Sequence, residues 1–126
     1  MRQILFSLLL LITFSCSKDE GVDQPEKLSG LEANSLTDVA YGKDARQKMD
    51  IYLPAGRTTT ETKVLILIHG GAWADGDKSE FNSVVKEFQE LLPDYAIFNL
   101  NYRLYQFGSS NKFPVQENDI KDAVAF

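Results

Sequence analysis

Val64 to Trp73 reads V-L-I-L-I-H-G-G-A-W, five consecutive apolar residues that break into His69-Gly70-Gly71-Ala72-Trp73. Aliphatic residues without polar alternation predict a strand covered on both faces, as in a parallel sheet sandwiched between helices. This strand runs straight into a glycine turn. Gly70 and Gly71 admit backbone conformations closed to other residues and allow close approach to a bound group, so that consecutive amide N–H groups can face a cleft. Amides held in that way stabilise negative charge. The fold class expected from this run is α/β.

Working outward, strands are expected at Leu36 to Tyr41, Lys48 to Leu53, Lys63 to His69 and Tyr95 to Asn101. The first two form a hairpin across Gly42-Lys43-Asp44, with Met49, Ile51 and Leu53 on one face. Between the last two, Phe81, Val84, Val85, Phe88, Leu91 and Leu92 fall on one helical face, preceded by the cap candidates Asp77 and Ser79. A strand, helix, strand succession predicts a right-handed crossover and a parallel pair. After Pro114, a proline suited to a first helical turn, Phe113, Glu117, Ile120 and Val124 recur at helical spacing. Internal repeats are absent.

The glycine turn also carries a resemblance. H-G-G-A-W is similar to the H-G-G-G-aromatic oxyanion signature of α/β-hydrolase esterases and lipases. Met49-Asp50-Ile51-Tyr52-Leu53-Pro54 resembles the L-D-I-Y-L-P stretch that ends the second strand of that family. Gly76-Asp77-Lys78, Asn101-Tyr102-Arg103-Leu104, Phe113-Pro114, Asp119 and Ala123 then follow in the order and rough spacing of its feruloyl-esterase-like and hormone-sensitive-lipase-like branches. The resemblance covers about Leu36 to Phe126. It implies the amino-terminal part of an α/β-hydrolase fold: an antiparallel first hairpin, then parallel strands with crossover helices. It also implies a third strand lying between the fourth and a fifth that carries the nucleophile.

By the same resemblance, the Gly71 and Ala72 amides are oxyanion-hole donors, with Ala72 in place of the signature's third glycine. His69 scaffolds the loop. Gly70 and Trp73 border the substrate pocket, although for Trp73 a plain core role remains open. The family's nucleophile sits in G-x-S-x-G, and its triad runs in the order Ser, Asp, His. The chain holds no such pentapeptide, and its single histidine is His69. Ser109 and Ser110 read as turn residues. Asp50 and Asp77 read as strand-end and turn residues without catalytic chemistry. The expectation is therefore an amino-terminal portion of a serine carboxylic-ester hydrolase, truncated before the nucleophile elbow and not competent alone. With Val64 to Ile68 on an open edge, such a chain is expected to fold poorly by itself. Arg103 and Asp119 are open to two readings, a buried ion pair or two solvated charges.

The amino terminus has the parts of a secretory signal: Arg2, an apolar run from Ile4 to Phe14, and Cys16 after a small residue. The run is too short to span a bilayer. Cys16 stands where the lipidated cysteine of a bacterial lipoprotein stands, and Ser17-Lys18-Asp19-Glu20 resembles the acidic run directing some lipoproteins to the outer membrane or cell surface. Residues 1–15 are thus expected to be a signal peptide, 16–35 a lipidated cysteine and polar tether, and 36–126 a partial α/β-hydrolase domain. The membrane partner would be reached through the Cys16 anchor.

Cys16 is the sole cysteine, so its lipidation leaves no thiol for a disulfide or metal. Net charge is −5, and −6 once the signal with Arg2 is removed. That balance disfavours nucleic acid as a partner. No metal site and no cofactor are expected of serine-type chemistry; the expected partner is an ester, small-molecule or linked to polysaccharide. Two other classes compete. Gly71 to Ser79 lies one residue away from the phosphate loop G-x-x-x-x-G-K-S/T, with Asp77 as the insertion. A non-catalytic surface lipoprotein that uses the glycine turn for binding is the second alternative.

Overall fold

The computed structural model describes residues 30–126. The expected signal peptide, Cys16 and most of the tether lie outside the described residues. Strands β1 (Asn34–Ala40), β2 (Lys48–Leu53), β3 (Lys63–Ile68) and β4 (Tyr95–Leu100) form a single sheet in the order β1-β2-β4-β3. The 3-10 turn Lys78–Phe81 leads into helix α1 (Asn82–Leu91), and helix α2 spans Val115–Ala125.

β1 and β2 pair antiparallel as expected, with Leu36 opposite Ile51 and Val39 opposite Met49. That pairing leaves one extra residue on β1, and Asp38 takes it up in a left-handed conformation at φ 54°. Such a bulge sharpens local twist and re-aims a side chain. β3 and β4 run parallel in register from Lys63 opposite Tyr95 to Ile68 opposite Leu100. β2 is antiparallel to β4, so β4 lies inside the sheet and β3 at its edge.

Alternation along the strands divides the core in two. Met49, Ile51 and Leu100 pack with Ala123 of α2, joined by Val39, Leu53, Ile66 and Phe98. On the other face Leu67 and Ile97 pack with Val85 of α1, joined by Leu65, Phe81 and Phe88. Hence β3 offers apolar residues to both faces, which explains its unalternating sequence. Its position at the open edge is the one expected, and its cover is incomplete. Val64 stays 58 % exposed and Ile68 39 %, because among the described residues no strand pairs with the far side of β3.

The helices depart from their sequence patterns. Leu91 is expected on the buried face of α1, but it sits in the last helical turn and is exposed. On α2 the expected stripe of Phe113, Ile120 and Val124 is not the buried face; Gln116, Asp119 and Ala123 are. A polar anchor determines this rotation. Asp119 is fully buried and accepts from Arg103 Nε at 3.0 Å, from the Arg103 backbone N–H at 2.9 Å and from Gln47 Nε2 at 2.9 Å. Its second guanidinium contact, Arg103 Nη2, completes a forked ion pair. Of the two readings of Arg103 and Asp119, the ion pair holds. With the anchor fixed, Val124 and Phe126 border an apolar groove against Val64 and Ile66.

Two outcomes are expected. The exposed β3 edge is a template for strand addition, so the purified chain should elute as multimers in size-exclusion chromatography, and Val64→Lys should shift it towards monomer. In that Val64→Lys background, Asp119→Ala should lower unfolding free energy by about 3 kcal/mol in urea titration, since removing one partner strands the other charge.

Candidate active site

At Ile68 the edge strand ends, and His69 turns inward to become 97 % buried, at 3 % exposure. Gly70, Gly71 and Ala72 return to the surface. Gly71 (φ 100°), Ala72 (φ 49°) and Trp73 (φ 66°) are three successive left-handed residues. Only glycine takes that region freely; for Ala72 and Trp73 it costs on the order of 1–2 kcal/mol each. At Gly71 a side chain is excluded outright, since an added Cβ would meet the Asp75 carbonyl oxygen at 2.1 Å. The turn closes on itself where Ala74 and Asp75 N–H donate to the Gly71 carbonyl at 2.9 and 3.0 Å. Among the described residues, the Gly71 and Ala72 N–H groups donate to no protein acceptor.

What holds this strained turn lies beneath it. The His69 ring stacks on Tyr102 with centroids 4.3 Å apart and planes 12° from parallel, and Trp73 meets the same ring edge-on at 5.2 Å. Tyr102, 1 % exposed, donates its hydroxyl to the carbonyls of His69 at 3.0 Å and Gly70 at 3.2 Å. Burial pushes its phenol above the usual range. Tyr105 N–H donates to the Trp73 carbonyl at 2.7 Å, tying the chain after β4 to the turn. His69, Gly70, Gly71, Ala72 and Trp73 are therefore brought together, with Tyr102 as the shared support. Trp73 is neither core nor free wall: one edge packs on Tyr102 while the residue stays 39 % exposed.

Behind the turn, Gly76 (φ 100°) passes so close to His69 that an added Cβ would lie 2.4 Å from its Nδ1. Asp77 then starts the 3-10 turn in a capping box with Glu80, accepting from Ser79 N–H at 2.9 Å. Partial burial opposes ionisation of Asp77, but the Ser79 N–H and the Asn101 amide outweigh it and hold the carboxyl at about 2. The Asn101 side chain bridges the layers, donating to Asp77 Oδ2 at 2.8 Å and accepting from Lys78 N–H at 2.7 Å.

Lys78 decides against a phosphate loop. Its Nζ donates to Asp50 Oδ1 and Oδ2 at 2.8 and 2.7 Å and pairs with Asp38 Oδ1 at 3.1 Å, so the ammonium is committed to the sheet. These carboxylates raise the Lys78 pKa against the desolvation that would lower it. Asp50, expected at a strand end, sits mid-strand in β2 and 5 % exposed as that counter-ion. The β1 bulge makes the arrangement possible by turning Asp38 N–H to Asp50 Oδ1 at 2.9 Å. Sequence reading missed Arg46 as well. In the β1–β2 loop it looks like any solvated turn residue, yet it reaches Tyr102, Gly76 and His69.

The BD-FAE family model matches residues 49–126. The chain belongs to the BD-FAE family. Among solved structures, esterase B from Lactobacillus rhamnosis is similar at 26 % identity with a TM-score of 0.51, over 79 % of this chain and 30 % of that one. A bifunctional GH43-CE protein from Bacteroides eggerthii is 32 % identical with a TM-score of 0.51, over 71 % of this chain and 11 % of that one. A putative thioesterase from Silicibacter sp. is 21 % identical with a TM-score of 0.60, over 87 % of this chain and 42 % of that one, and speaks to the fold alone. No curated protein matches the chain. The sheet and its helices are those of α/β-hydrolase esterases, and the chain spans less than half the length of each of these structures.

The Asp77 cap has a pH signature. A carboxyl held near 2 when folded, against 3.8 ordinarily, adds stability that is fully present above 3.8 and lost as pH falls through 2. In the Val64→Lys background, the melting temperature of the Asp77 protein should exceed that of Asp77→Asn at pH 6, and the gap should close by about pH 2.

Proposed function

We propose that this chain supplies the oxyanion-stabilising loop of a serine carboxylic-ester hydrolase whose nucleophile, acid and base come from sequence outside these 126 residues. The observation that carries the reading is the pair of adjacent, unpartnered N–H groups at Gly71 and Ala72, held at the end of β3 by a strained turn. Membership of the BD-FAE family and the similarity to esterases support it.

The chemistry follows from the geometry. When a serine hydroxyl attacks an ester carbonyl carbon, the carbonyl π pair moves to oxygen and the serine proton passes to a general base. Gly71 and Ala72 would then donate to the new oxyanion. Amides already fixed need no reorganisation as charge develops, and loss of one donor from such a hole costs about 100- to 1,000-fold in rate. His69, stacked and buried, serves the loop and not proton transfer. Gly70 and Trp73 would border the acyl or alcohol side. This chemistry requires no metal or organic cofactor.

Export and lipid anchoring at Cys16 complete the reading, placing the enzyme at the bacterial outer membrane or cell surface. An ester carried by polysaccharide, or a small ester released from it, is the substrate class that suits this location.

The test is hydrolysis of p-nitrophenyl acetate by the product of the uninterrupted reading frame and by residues 1–126 alone. Activity in the first, abolished by a serine-directed fluorophosphonate, with none in the second, is the expected result. Absence of activity in both removes the proposal. Release of acyl groups from acylated xylan is expected as well, and its absence beside aryl-ester activity would remove the polysaccharide assignment.

A further inference from the structure

The Arg46 side chain joins parts of the chain that are distant in sequence. Its Nε donates to the Tyr102 carbonyl at 3.0 Å, and its Nη2 donates to the Gly76 carbonyl at 2.8 Å and to Asn101 Oδ1 at 3.3 Å. Nη2 also lies 3.5 Å from His69 Nε2, and Nη1 lies 3.6 Å from Asp77 Oδ2. One planar fork thus touches the exit of β4, the back of the glycine turn and the cap of the 3-10 turn. A lysine has no such geometry: a single ammonium at the end of a flexible stem cannot face carbonyls on two sides of itself.

From these contacts we infer that Arg46 is a positioning residue for the oxyanion loop, acting through His69 and Gly76 and never touching substrate. The inference rests on the function proposed above for Gly71 and Ala72. His69 Nδ1 lies 2.8 Å from the Gly70 carbonyl, an acceptor, and therefore carries the proton. Nε2 lies 3.5 Å from Arg46 Nη2, whose two hydrogens meet the nearer Gly76 carbonyl and Asn101 Oδ1, so this contact places the ring and does not assign its proton. The Gly70 carbonyl selects the Nδ1–H tautomer, and Arg46, lying against Nε2 and holding the Gly76 carbonyl, keeps the ring in the orientation that lets Nδ1 reach Gly70. That ring, with Tyr102 behind it, is the surface on which the left-handed residues 71–73 are folded. Gly76 closes the same arrangement from the other side, its carbonyl on Arg46 and its α-carbon against the His69 ring. A small shift of His69 therefore moves both unpartnered amides.

The test uses the protein of the complete reading frame with Arg46→Met, which keeps most of the stem and removes every donor, and Arg46→Lys, which keeps the charge without the fork. Displacement of a catalytic group by about 1 Å can cost on the order of 100-fold in rate. Both variants should lose about 10- to 100-fold in kcat on p-nitrophenyl acetate while KM stays within about twofold, because the loop binds the transition state and not the ground state. A purely structural role would instead lower the active fraction, read by active-site titration with a fluorophosphonate, and leave kcat per active site unchanged; that result overturns the inference.

Long-range 1H–15N spectra of the imidazoles, with the His69 signals assigned by a His69→Asn variant, supply a readout independent of activity. The expected pattern is Nδ1–H alone in the unsubstituted protein and a tautomer mixture in Arg46→Met. An unchanged tautomer in that variant overturns the inference as well. If the unsubstituted protein hydrolyses no ester, the functional proposal fails and the tautomer readout still decides whether Arg46 governs His69. If Arg46→Met does not fold, Arg46→Lys carries both measurements.

Discussion

Asp119 has no contact with water, and its carboxylate is the point from which the rest of this architecture is positioned. A buried charge is tolerable only when its lone pairs are met, and here Arg103 meets them from one side and Gln47 from the other. Those two donors belong to segments that share no strand pairing with α2: Arg103 follows β4, and Gln47 precedes β2. Their sequence neighbours are Tyr102 and Arg46, whose own hydrogen bond lies directly beneath the glycine turn. One carboxylate thereby sets the rotation of α2, the path of the chain leaving β4 and the approach of the β1–β2 loop to the site.

A second polar layer lies above the sheet. Lys78 reaches down to Asp50 and Asp38, Asn99 Nδ2 donates to the Lys78 carbonyl at 2.8 Å, and Asn101 spans from Lys78 to Asp77. The segment from Gly76 to Phe81 is tied to β2 and β4 by directional bonds, where apolar packing alone would leave it free to slide. Directionality matters at this place, since the turn above is strained at Ala72 and Trp73 and would relax if its base moved. The partly buried ions are better understood as fixing one geometry than as adding stability.

The legible parts of the sequence were those governed by local rules. Val64 to Ile68 announced a strand bearing apolar residues on both faces, and the hairpin followed from Met49, Ile51 and Leu53 falling on a single face of β2. Of the two cap candidates, Asp77 and Ser79, Asp77 is the cap. His69 to Trp73 could be located because glycine has so few reasons to be doubled at the end of a buried strand. What sequence could not give was anything settled by partners far along the chain. The buried face of α2 follows Asp119 and not its apolar stripe; Asp50 is a mid-strand counter-ion because a bulge and Lys78 meet there; Arg46 offers no local mark at all. The open edge of β3 was legible only through the resemblance, because sheet order is a property that no single segment encodes.

The edge position of β3 carries a consequence for the loop it feeds. Val64 to Ile68 and the turn at Gly71 form one continuous length of backbone, hydrogen-bonded on one flank by β4 and open on the other among the described residues. A strand docking on that open flank would suppress fraying of β3 and so reduce the conformational entropy of the turn at its end. Under the function proposed here, edge pairing and oxyanion stabilisation would be linked equilibria: a ligand that favours the ordered turn would strengthen strand docking by the same factor that docking strengthens it. Preorganisation of the proposed site would then have two sources, the buried support beneath the turn and the occupancy of a sheet edge.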